Sequence, residues 1–68
     1  MTIRVLINDE PYDFDEGASV ADAVRYLGMS GGGLAVAING EVLPQKRWQD
    51  STLAAGDRIM LIRATHGG

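Results

Sequence analysis

Sixty-eight residues set the scale of one domain, and with 46% of them hydrophobic the chain has enough apolar surface for a compact core. A chain this short buries only about 60% of its unfolded surface, and with no cysteine it has neither a disulfide framework nor a thiolate zinc site to reinforce that marginal core. Nine acidic against six basic residues give a net charge of −3, which speaks against nucleic acid and against anionic membrane surfaces.

Thr2 to Ile7 reads as a strand, with Ile3, Val5 and Ile7 alternating against Thr2, Arg4 and Leu6. Asn8-Asp9-Glu10-Pro11 reads as a turn and Tyr12 to Phe14 as a short return, completing a hairpin. Asp13, Asp15 and Glu16 follow as an acidic loop closing at Gly17; their spacing matches no metal-binding loop, so a solvated loop is expected. Ser19 is a helix N-cap, with Asp22 three residues on to complete a weak capping box. Val20, Ala23, Val24 and Leu27 fall on one helical face for burial. Gly28 marks the C-terminal stop. That leaves a helix of about nine residues, too short to hold without docking.

Ser30-Gly31-Gly32-Gly33 is a flexible connection. A glycine cluster can cradle phosphate, but a phosphate loop follows a strand and opens a helix, and here the order is reversed. Leu34 to Ile38 is a strand, Asn39-Gly40 a two-residue hairpin turn, and Glu41 to Leu43 the return, stopped by Pro44. Gln45 to Thr52 is irregular, with one short helical turn near Trp48, whose expected role is to cover one end of the core. Gly56-Asp57 turns into the last strand, Arg58 to Arg63, where Ile59 and Leu61 point one way and Met60 and Ile62 the other.

The N-terminus, Met1-Thr2-Ile3-Arg4, lacks the charged segment and apolar run of a secretory signal, and the apolar runs elsewhere are too short to span a bilayer, so the expected compartment is the cytoplasm. One helix among several strands packs across one face of a mixed sheet of four or five strands, with the first and last strands side by side at its centre. This is the α+β arrangement called the β-grasp, or ubiquitin-like, fold. The domain expectation is a single β-grasp unit over 1–68 with a flexible arm over 64–68. Five extended residues reach roughly 17 Å. The arm carries Thr65 and His66 and closes on Gly67-Gly68, whose backbone without Cβ atoms can thread a narrow tunnel in another protein. His66 has no second ligand nearby in sequence and reads as a spacer contacting a partner, as does Thr65.

The chain resembles the sulfur carrier proteins of thiamine (thiazole) biosynthesis, the ThiS family. The likeness covers the whole chain and rests on Ala35-Val36-Ala37-Ile38-Asn39-Gly40, on Val42-Leu43-Pro44 followed by Trp48, on Leu53 with Gly56-Asp57, and on Gly67-Gly68. It departs at Gln45, where family members often carry Arg or Lys, although Lys46-Arg47 follows directly. It departs again in the first hairpin, Asn8-Asp9-Glu10, where Asn-Gly is common. The small molybdopterin synthase subunits are similar but less so, and carriers for tRNA thiolation or cysteine synthesis stay open.

The resemblance implies a protein cosubstrate and not an enzyme. Its reacting group is the Gly68 carboxylate, beside Gly67. An adenylating enzyme of the ubiquitin-activating type spends ATP on it, an external persulfide or sulfide supplies sulfur, and the thiocarboxylate passes to thiazole synthase. The carrier itself holds no cofactor. If the helix covers Ile3, Val5, Ile59 and Leu61, then Leu6, Met60 and Ile62 share the opposite face as a partner-binding patch. A loop over that face, such as residues 45–52, is the competing expectation. Two other readings remain: a ubiquitin-like modifier joined to lysines through Gly68, and a β-grasp interaction module with no tail chemistry.

Overall fold

The computed structural model describes residues 1–29 and 33–63. The glycine connection over 30–32 and the arm over 64–68 lie outside the described residues.

Strand β1 (Thr2–Ile7) and strand β2 (Glu10–Asp15) form an antiparallel hairpin in which Ile7 pairs with Glu10 and Leu6 with Pro11. The hairpin is tighter than its sequence implies. Asn8 and Asp9 both hold positive φ, 52° and 70°, the backbone of a two-residue turn. The return strand therefore begins at Glu10 rather than Tyr12. Pro11 is tolerated because β2 is an edge strand.

Helix α1 spans Val20–Tyr26, seven residues. It is shorter than the apolar periodicity predicts because Leu27 is the C-cap residue, and Leu27 is accordingly only half-buried. So short a helix is not stable by propensity. Its ends explain its persistence. The Val20 N–H donates to Ser51 O (2.9 Å) and the Ala21 N–H to Trp48 O (3.1 Å). Asp22 N–H donates to Ser19 Oγ (3.1 Å), and the Asp22 carboxylate accepts from Ser19 N–H (2.9 Å), a complete capping box. At the other end Gly28, at φ 70°, lets its N–H reach Arg25 O and that of Met29 reach Val24 O. This is the paired closure that satisfies orphan helix carbonyls.

Strands β3 (Leu34–Ile38) and β4 (Glu41–Leu43) meet through Asn39-Gly40, both at positive φ. A 3-10 turn over Gln45–Arg47 leads to Trp48, and strand β5 (Arg58–Arg63) completes the sheet. The order is β2-β1-β5-β3-β4, with β5 parallel to β1 and antiparallel to β3. One helix on a mixed five-stranded sheet with its first and last strands adjacent is the β-grasp arrangement.

The core lies between α1 and one face of the sheet. Val5, Ile7, Phe14, Val36, Ile59 and Leu61 from the strands meet Val20, Ala23 and Val24 from the helix. Trp48 and Leu53 close one end. The indole N–H of Trp48 donates to Leu43 O at 3.0 Å, so the ring is buried without an orphaned donor. Segment 45–53 thus lies on the helix side, where it also supplies carbonyls to α1, and does not cover the other face of the sheet.

Candidate functional site

Strand alternation sends every second residue to the face away from α1. On β5 these are Met60 and Ile62, 49% and 58% exposed. Leu6 of β1, half-buried, stands on the same face opposite Arg58. Leu6, Met60 and Ile62 therefore share one face, with Leu6 and Met60 bordering the same groove and Ile62 farther along β5. It also adds residues that sequence reasoning missed. Ala37 pairs with Met60, Ala35 with Ile62, and Val42 with Ala37, so all three share this face. Val42 is 77% exposed. The alternation of β3 and β4 carried this signal, but only the register between strands shows which side chains become neighbours.

The small side chain of Ala37 between larger neighbours leaves an open groove of about 400 Å³, bordered by Leu6, Ala37, Met60 and Arg58 and by the two turns at Asp9 and Asn39-Gly40. The face is divided. Its β5-β3-β4 half is apolar. Its β1-β2 half is charged: Arg4 forms a two-pronged pair with Asp13, at 2.9 and 3.3 Å. The hydrogen bond from Arg4 holds the Asp13 carboxyl below its ordinary value, and the same bond raises the Arg4 guanidinium. Arg58 faces Asp9 at 3.6 Å on the rim.

Two sequence motifs far apart in the chain meet where β5 begins. Asp57 accepts from Ala54 N–H (2.8 Å) through one carboxylate oxygen and from the Asn39 carboxamide (3.2 Å) through the other. The Asn39 side-chain oxygen in turn accepts from Arg58 N–H (3.0 Å), and Asn39 N–H donates to Arg58 O (2.7 Å). Asn39-Gly40 and Gly56-Asp57 therefore lock each other and set the register of β5.

Among the described residues, no three His, Cys, Asp or Glu side chains cluster as a metal site, and no helix is long and apolar enough to cross a membrane. Thr65, His66, Gly67 and Gly68 lie outside the described residues.

Residues 5–68 match the sequence model of the ThiS family. The chain is 29% identical over 66 residues to the sulfur carrier protein ThiS of Escherichia coli K12, covering 97% of this chain and all of that protein. It is 27% identical to the uncharacterized protein ycf40 of Porphyra purpurea, covering 97% and 93% of the two. Its fold is similar to the crystal structure of the thiamine biosynthesis protein ThiS from Geobacter metallireducens, with a TM-score of 0.80 at 25% identity, over 97% of this chain and 100% of that one. The solution structure of the Geobacter protein gives a TM-score of 0.77.

Proposed function

The chain belongs to the ThiS family of small sulfur carriers in thiamine biosynthesis, and from that premise we propose that it carries sulfur as a thiocarboxylate on Gly68. The observation that carries this reading is the family match, which runs through Gly67 and Gly68. A carboxylate is a poor electrophile. An adenylating partner joins it to the AMP moiety of ATP and releases pyrophosphate. A sulfide nucleophile then attacks the carbonyl carbon, the bond to AMP breaks, and the thiocarboxylate remains. Sulfur attacks as the anion, not as the protonated species. With no cysteine of its own, the chain takes that sulfur from outside. Thiazole synthase is the acceptor.

Docking to the adenylating partner falls to the apolar half of the outer face, with Met60 and Ile62 at its centre and Leu6 at its edge. Exposed apolar side chains grouped on one face mark an interaction surface. Thr65 and His66 are the spacer that contacts the partner's tunnel, and Gly67 the residue slim enough to enter it.

The test is intact-mass measurement after incubation with ATP, the adenylating enzyme and sulfide. The expected result is the mass change of one oxygen replaced by sulfur, located to Gly68. An unchanged mass with an enzyme active on its own carrier overturns the reading. Covalent conjugates to other proteins in lysate point instead to a ubiquitin-like modifier.

A further inference from the structure

Strand β1 runs out before β5 does. The two pair at Leu6–Arg58 and Ile7–Ile59, and the main chain makes one further bond, from Asn8 N–H to Ile59 O (2.9 Å). On its other side β5 stays paired with β3 as far as Arg63, opposite Leu34. Where β1 has turned away, the side chain of Asn8 takes up the ladder. Its oxygen accepts from Leu61 N–H at 2.9 Å, and its amide nitrogen donates to Leu61 O at 3.4 Å. A carboxamide has the same donor and acceptor as a peptide group. It serves here as a detached peptide unit of β1, bonded to a residue of the core.

We propose that Asn8 is a positioning residue for the C-terminal arm: its carboxamide replaces the next peptide of β1, pins Leu61, and holds the last turn-free stretch of β5 extended. It thereby fixes the point from which the segment after Arg63 is presented to a partner. The turn alone accounts for an Asn at φ 52°. It does not account for two bonds to a residue 53 positions away. Both demands fall on one residue, and they select Asn: Gly meets the backbone demand without the carboxamide, and Asp lacks the donor. The role in presentation rests on reading Gly68 as the reacting group.

The experiment compares wild type, Asn8→Gly and Asn8→Asp by amide hydrogen exchange and by steady-state adenylation with the cognate enzyme. Asn8→Gly keeps the turn and removes the clamp. Its Leu61 amide is expected to exchange about tenfold faster or more, the scale of one lost hydrogen bond, while the amides of β3 stay within about twofold of wild type. The KM for the carrier rises about tenfold with kcat unchanged, because ordering the end of β5 is then deferred to binding. Asn8→Asp keeps the acceptor, so Leu61 stays protected and KM rises less. Unchanged Leu61 exchange in Asn8→Gly overturns the proposal. So does acceleration shared by all core amides, equal loss of protection in both variants, or an unchanged KM despite faster exchange at Leu61. A wild-type carrier that accepts no adenylate sinks the functional reading and the arm's role with it, while the exchange data still decide the clamp.

Discussion

Met60→Glu is the sharpest test of the docking face. Met60 is about half exposed, 49% by area, and its neighbours on the sheet surface are Ala37 across the β3–β5 ladder and Ile62 along its own strand. In the free domain a Glu there keeps its aliphatic stem on the sheet and its carboxylate in water. The cost is that of an ordinary surface substitution, within about 0.5 kcal/mol. For a domain this size that moves Tm by no more than about 4 °C. In a complex that covers the face, the same carboxylate is buried with no cation beside it. Of the arginines on the outer face, Arg58 is already paired with Asp9 and Arg4 with Asp13. An uncompensated buried charge costs about 3–5 kcal/mol, which weakens binding on the order of a hundred- to a few-thousand-fold. Calorimetric titration against the adenylating partner, beside a thermal melt, separates the two costs. A variant that melts like wild type and binds like wild type removes this face from the docking reaction. A variant that no longer folds refutes the assignment of Met60 to the outer face.

Deleting Gly68 is expected to abolish thiocarboxylate formation, read by mass spectrometry, while circular dichroism keeps its wild-type form; normal loading of the shortened chain refutes the tail chemistry. Val24→Ala removes methyl groups from a side chain 5% exposed against the sheet. The loss is about 1–3 kcal/mol, or a fall in Tm of about 5–20 °C; an unchanged melt would remove Val24 from the core. The Asp22 carboxyl is held below its ordinary value of 3.8, chiefly by the backbone N–H of Ser19, with smaller help from the Ser19 hydroxyl and Arg25. A depressed carboxyl contributes stability that is full above 3.8 and is lost as pH falls through the folded value. Asp22→Asn should therefore show a shallower acid loss of Tm below about pH 4 than wild type, and an identical acid slope would dismiss the capping box as its source.

The helix was legible because its signals are local. Ser19, Asp22 and Gly28 act through groups within a few residues, and each does in the fold what its chemistry implies. The length of α1 was less legible, because an apolar stripe continues into the cap residue without distinguishing it. The tightness of the first hairpin was not legible, because Asn8-Asp9 lacks the glycine that usually marks such a turn, and Pro11 usually ends pairing rather than joining it. Contacts between distant segments were not readable at all. No local pattern says that Ser51 and Trp48 carbonyls cap α1, that Asn39 meets Asp57, or that Asn8 reaches Leu61. For the same reason Leu6, Met60 and Ile62 could be assigned a face from alternation, while Ala35, Ala37 and Val42 required the register.

The outer face of an antiparallel or mixed sheet whose other face is packed usually alternates to polar residues. The β1-β2 half obeys this, with Arg4 and Asp13 directed outward and paired. The β5-β3-β4 half does not, although the core gains nothing from Met60, Ile62 or Val42. Nor do the turns require them, since Asn39, Gly40 and Asp57 already fix the ends of the strands. A small domain that leaves large apolar residues in water on one half of one face, and keeps the other half charged, lowers its own solubility for no folding benefit. Strand β5 joins this half to the rest. Its Ile59 and Leu61 anchor the core, its Met60 and Ile62 supply the exposed patch, and residues 64–68 follow it directly. A partner that grips Met60 and Ile62 therefore grips the strand whose inward side chains, Ile59 and Leu61, are fixed in the core.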